Sequence, residues 1–169
     1  MRRFLLTILL SVVSVTLSAQ YDAGYLKSLV ANNRVSFKYS LGVKGAAPVK
    51  MDGKVVLDGD CYSVRGNSLE MYCDGTTKWV VDRDALEVYI ESSEGTKDFL
   101  ADPSAWIDNV KNLKISENSV SGSYWNAEQE VTINFKFTAI TPSPLSGSTE
   151  GFVFDVGSLG AEWLVTDLR

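Results

Sequence analysis

The chain has 169 residues and a formal net charge of −5, which suits one domain with one sizeable core. The acidic balance argues against a nucleic-acid binder, which needs a basic face to neutralise phosphates, and against electrostatic docking on anionic lipid surfaces. The sequence contains no histidine, which removes Ser-His-Asp and Cys-His nucleophilic arrangements and the usual zinc sites.

The N-terminus reads as a targeting segment. Met1-Arg2-Arg3 is a basic start. Residues 4–15 are apolar apart from Thr7, Ser11 and Ser14, and Ser18-Ala19 supplies small residues before Gln20. This predicts a secretory signal peptide over residues 1–19, cut after Ala19. The apolar run is shorter than the roughly 20 residues that span a bilayer. The remainder, residues 20–169, is expected to be one soluble domain outside the cytoplasm, in the periplasm if the source has two membranes.

Tyr25, Leu26, Leu29 and Val30 recur at helical spacing over residues 22–33, with Asp22 placed to cap the start and Asn32-Asn33 at the end. Alternation follows. Val35, Phe37, Tyr39 and Leu41 fall on one face of a strand over residues 34–41. Residues 47–57 read as a second strand interrupted at Asp52-Gly53. Residues 60–65 and 69–73 form a hairpin, and Asp74-Gly75 suits a tight turn into residues 78–82. After a turn at Arg83-Asp84, residues 85–91 set Leu86, Val88 and Ile90 on one face. Glu94-Gly95 breaks the strands. Residues 97–110 look helical or turn-like and are split at Pro103. Residues 113–120, 122–125, 131–140, 152–156 and 163–166 read as further strands, and the Pro- and Ser-rich residues 141–150 as a loop. Short strands, tight turns and one-sided alternation predict a mainly β fold. Its single antiparallel sheet covers its apolar face by curling or with the short helical pieces.

Little in the sequence carries chemistry. No Gly-rich phosphate loop is present. The carboxylate pairs Asp82/Asp84 and Asp58/Asp60 suit a solvated, turn-rich surface, and Asp58-Gly59-Asp60 offers too few oxygens for calcium. The expectation is no enzyme, no catalytic residue, no metal and no cofactor. Cys61 and Cys73 are the only cysteines, and an oxidising compartment would permit a bridge. A three-residue loop over residues 66–68 sets them opposite each other. A two-residue loop at Gly66-Asn67 sends them to opposite faces and aligns Tyr62 and Val64 with Leu69 and Met71. Both registers stand. The aromatic residues Phe37, Tyr39, Tyr62, Trp79, Trp106, Phe135, Phe137, Phe152 and Phe154 mostly occupy the apolar parity of their segments. They make either an ordinary β core or an apolar concave face shared with a ligand.

The order of elements, the stretch YCDGTTKWVVD followed by LEVYIE, the break FLADPSAW and the closing GFVFDVGSLGAEWLVTDLR together resemble the LolA-like family, in particular a Bacteroidetes-type branch. These are periplasmic carriers of outer-membrane lipoproteins. The resemblance covers most of residues 21–169 and is best marked over residues 53–91, where the family shows a DG-x-x-x-W hairpin. It implies an incomplete antiparallel barrel with a helical lid and a concave face that receives acyl chains. On this chain that cavity would be formed by Phe37, Tyr39, Val55, Leu57, Tyr62, Met71, Trp79, Val81, Val88, Ile90, Trp106, Phe135 and Phe137. The implied partners are lipoprotein acyl chains or other lipid, with transfer partners at the inner and outer membranes, and the carrier would act as a monomer without nucleic acid. The better-known carriers use an arginine on an early strand to hold the lid. The corresponding position falls near Leu57-Asp58, where no arginine stands. The alternative expectation is a non-catalytic protein-interaction module of the cell envelope, with a filled barrel core.

Overall fold

A computed structural model describes residues 21–44, 49–94, 98–127 and 129–169. The expected signal peptide lies outside the described residues, as do the start of the second expected strand at residues 47–48 and the break at Gly95.

The first element is α1 (Ala23–Asn32), where the Asp22 carboxylate accepts from the Tyr25 N–H at 2.8 Å. This supplies a partner to one of the otherwise unpaired amides of the first turn. The strands β1 (Arg34–Lys44), β2 (Val49–Asp58), β3 (Cys61–Gly66), β4 (Leu69–Asp74), β5 (Thr77–Asp82) and β6 (Glu87–Ser92) follow as successive hairpins. A short helix, α2 (Pro103–Trp106), runs into one 3-10 turn at Ile107–Asn109. Proline starts this helix, where its missing N–H costs nothing. Then come β7 (Lys111–Ser116), β8 (Ser119–Asn126), β9 (Val131–Ser143) and β10 (Leu164–Asp167).

All ten strands join one sheet in the order β10-β6-β5-β4-β3-β2-β1-β9-β8-β7. Neighbours are antiparallel except β10, which runs parallel to β6. The sheet is not closed, since β10 and β7 form its two ends. A mainly β, open sheet with two short helices is thus the observed architecture, and it fits a curled sheet.

The register assigns side chains to two faces. On the inner face, Val35 opposes Leu57, Phe37 opposes Val55, and these continue to Tyr62 and Val64 on β3 and to Cys73 and Met71 on β4. In the other direction, Tyr39 opposes Phe137 and Leu41 opposes Phe135. These residues form the main core, together with Leu26 of α1 and with Leu100, Trp106 and Ile107 of the covering segment. The outer face carries a second cluster. Tyr72 opposes Trp79, Trp79 opposes Ile90, and Val81 opposes Val88. Phe154, Val156, Leu159 and Trp163 pack over them.

Four expectations change. Residues 152–156 form no strand. They belong to a strap, residues 144–163, that crosses the outer face from the end of β9 to β10. Asp52-Gly53 does not interrupt β2, because the chain runs straight through. The β7–β8 turn falls at Glu117-Asn118, three residues earlier than the break between residues 120 and 122. Leu86 belongs to the turn before β6, at φ 58°, and not to the strand.

Candidate functional site

The inner face is not filled along its whole length. At the end that holds Val43, Met51 and the β3–β4 loop it opens into a cleft of about 650 Å³. Tyr39, Leu41 and Val43 of β1, Val64 of β3 and Met71 of β4 form its floor. Phe99 and Leu100 of the covering segment and Ile133 of β9 form its walls. Lys50, Asp52, Asn67, Ser68, Asp98 and Gln129 stand around it. An apolar floor with polar groups at the mouth is the ordinary make-up of a ligand pocket, and the volume lies within the roughly 300–1,000 Å³ such pockets span.

Two glycines stand beside the cleft. Gly53 opposes Gly66 across β2 and β3 and also faces Tyr39 on β1. Both glycines permit close approach and leave no open space: a Cβ on Gly53 would collide with the Arg65 carbonyl oxygen and stand 2.8 Å from Tyr39 Cε1. A Cβ on Gly66 would stand 2.9 Å from the Tyr39 hydroxyl oxygen. Burial pushes the Tyr39 phenol above its ordinary pKa, and nearby Asp52 adds to this, so the floor of the cleft carries a neutral phenol.

The cover is held at both ends of its first turn. Tyr62 donates to Asp98 Oδ2 at 3.0 Å, and Lys78 Nζ lies 3.8 Å from the same carboxylate and 2.7 Å from Glu91 Oε2. Burial works against the Lys78 ammonium, but its hydrogen bond to Glu91 and the charge of Asp98 outweigh it and raise the pKa. Burial and the Asp98 charge together push the Tyr62 phenol far up. The Trp106 indole N–H donates to the Phe99 carbonyl at 2.8 Å, and the two rings stack with centroids 4.0 Å apart. Phe99 is therefore fixed over the cleft by its own helix, and Asp98 by the sheet.

The sequence-predicted cavity residues divide into three groups. Tyr39 and Met71 line the cleft. Phe37, Val55, Leu57, Tyr62, Trp106, Phe135 and Phe137 lie on the same face but are buried in the packed core beside it. Trp79, Val81, Val88 and Ile90 lie on the opposite face, beneath the strap, and the expectation that they share a cavity with Phe37 is corrected by the β4–β5–β6 register. Sequence reasoning missed Leu41, Val43, Val64, Phe99, Leu100 and Ile133 as lining residues. Val43 was accessible by extending the β1 alternation one step beyond Leu41.

The two-residue loop of the second expectation occurs, with its faces, but one residue later than Gly66-Asn67. Asn67-Ser68 form the loop, so Tyr62 opposes Cys73 and Cys61 opposes Asp74. The cysteines fall on opposite faces, and both are thiols and not a bridged pair. Burial pushes the Cys61 thiol up, with the neighbouring Cys73 and Asp58 adding to it, which disfavours the reactive thiolate.

Among the described residues, no group of three or more His, Cys, Asp or Glu side chains is placed to hold a metal. No helix among them is long and apolar enough to cross a membrane. No protein-family model matches the chain, and no curated protein matches it significantly.

Proposed function

We propose that this protein is a carrier that takes up the acyl chain of a lipoprotein or another lipid in the inner-face cleft and shuttles it through the periplasm towards the outer membrane. The observation that carries this reading is the cleft itself: an apolar floor on the sheet, Phe99 and Leu100 of the cover against it, and polar side chains around it. An acyl chain gains roughly 0.8 kcal/mol for each CH₂ removed from water, so such a site needs apolar area and no catalytic group. The polar mouth would face the headgroup or the acylated peptide. Release requires a cover that opens at modest cost, and the segment over the cleft is only one short helix and one 3-10 turn. The incomplete barrel and helical lid of the LolA-like carriers would be the corresponding parts.

Residues 1–19 would direct export, and transfer partners at the two membranes would load and unload a monomeric carrier. A second reading is a protein-interaction module. It is favoured by the short edge strand β10, where Leu164 and Val165 are exposed beside exposed Leu168.

Native mass spectrometry on the protein taken gently from its own host tests the first reading. A co-purifying lipid or acylated protein, displaced by detergent, is the expected result. A bare mass that also fails to take up a fluorescent fatty acid would sink the carrier and leave the interaction module.

A further inference from the structure

The outer face of β1–β3 carries a second, smaller concavity of opposite character. Arg34, Lys54 and Arg65 surround a pocket of about 200 Å³, with Ser63 in its floor and Phe152 of the strap as one wall. Lys54 and Arg65 are directly opposite each other across the β2–β3 ladder, and Lys38 continues the row on β1. Like charges in facing positions repel, so this convergence asks for an anion.

The nearest carboxylates answer only Arg34. The Asp58 side chain is 3% exposed and is committed to its own network. It accepts from Arg34 Nη1 at 3.3 Å, from the Ser146 N–H at 3.2 Å and from the Ser146 hydroxyl. Glu70 opposes Arg65 in register, but its oxygens receive Arg83 Nε at 2.7 Å, Arg83 Nη2 at 3.0 Å and the Tyr72 hydroxyl at 2.7 Å. Arg65 rests over the Tyr72 ring, 5.5 Å from its centre. Lys54 has no ion pair among the described residues.

Ser63 lines the same pocket and offers it a hydroxyl.

From these we infer that the pocket binds a phosphate-type oxyanion. Arg34, Lys54, Arg65 and Ser63 line the space together, with the Arg34 guanidinium shared with Asp58. That donor set matches a tetrahedral group with several acceptor oxygens, whereas a carboxylate offers two oxygens that one arginine fork can satisfy. The volume admits a phosphate with a short stub and leaves no room for an acyl chain. The phosphate belongs either to a small phosphorylated molecule or to the head of a phospholipid. The overall net charge of −5 does not oppose this, because the site collects Lys54 and Arg65 beside an Arg34 that is paired with Asp58.

The test is a titration of inorganic phosphate and of glycerol 3-phosphate into the folded chain at fixed ionic strength. It is run beside co-sedimentation with phosphatidylcholine vesicles with and without phosphatidylglycerol. Saturable binding is expected, weakened about tenfold or more by Lys54→Gln and by Ser63→Ala. Lys38→Gln, in the same charged row but outside the pocket, should leave it unchanged. Melting curves check that each variant folds. Lys54-dependent binding of glycerol 3-phosphate without vesicle binding assigns a soluble phosphate. Lys54-dependent binding only to phosphatidylglycerol vesicles assigns a lipid head. The inference is overturned if no probe binds saturably, if acetate competes as well as phosphate, or if Lys38→Gln weakens binding as much as Lys54→Gln.

Discussion

A methyl group added at Gly53 would collide with the Arg65 carbonyl oxygen and with Tyr39 Cε1, 2.8 Å from the new carbon. The backbone partner cannot swing away, so Gly53→Ala should cost about 1–3 kcal/mol of stability in urea unfolding. Gly42→Ala, with nothing within 4 Å of the new carbon, should stay within about 0.5 kcal/mol. Asp52-Gly53 reads as a strand break in sequence because the same dipeptide makes tight turns. Here the glycine is required by a close approach of neighbouring strands, which sequence spacing does not encode. Glu70 gives a second residue-scale prediction. The Arg83 hydrogen bonds hold its carboxyl below the ordinary glutamate value; burial opposes this and the Tyr72 hydroxyl adds to it. The unfolded chain therefore takes up the proton first as pH falls. The stabilisation is present above the ordinary value of about 4.3 and is lost as pH drops through the lowered folded value. Arg83 is half-exposed, which limits the effect to about 1 kcal/mol or less. Chemical denaturation between pH 3 and 7 should show this decline, and Glu70→Gln should flatten it.

At the scale of elements, parity within each strand was legible and parity between strands was not. Alternation places Val88 with Ile90 and Tyr62 with Val64 from sequence alone. Which of these pairs shares a face depends on the loop lengths between them. The Asn67-Ser68 loop and the β4–β5 turn send Trp79, Val81, Val88 and Ile90 to the outer face. The strap that covers them misleads for a related reason. Phe152, Phe154 and Val156 alternate as a strand would, yet their partners are side chains of the outer face and not a neighbouring backbone. Trp79→Ala should accordingly cost about 3–5 kcal/mol, as for other buried large-to-small changes. The folded fraction should take up a fluorescent fatty acid as wild type does. Loss of uptake without loss of stability would place Trp79 at the site and contradict the register argument. The cover makes the opposite prediction. Tyr62→Phe removes the hydrogen bond to Asp98 and should cost about 1 kcal/mol. Stopped-flow displacement should show faster ligand release, because the segment opens more readily.

At the scale of the whole molecule, the fold class was readable because a mainly β sheet with one apolar face leaves its signature in turns and alternation. The cleft was not readable, because distant parts of the chain assemble it. Tyr39 and Leu41 of β1, Val64 of β3, Met71 of β4, Phe99 and Leu100 of the cover and Ile133 of β9 meet there. None of these facts is local in sequence. Most of the aromatic residues that looked like cavity lining are core, and the apolar space is bounded by plainer side chains such as Leu41, Val64 and Met71. The central claim is that this cleft receives an acyl chain. The most direct measurement is photo-cross-linking with a diazirine-bearing fatty acid, with adducts mapped by peptide mass spectrometry in the wild type and in Met71→Glu. Met71 is only half-buried, so the variant should fold while setting a charge against the bound chain. The account predicts adducts on the peptides carrying Leu41, Met71 and Phe99-Leu100, abolished by Met71→Glu and unaffected by Lys54→Gln. Adducts confined to the strap and the β5–β6 outer face, or labelling that Met71→Glu leaves unchanged, would contradict it.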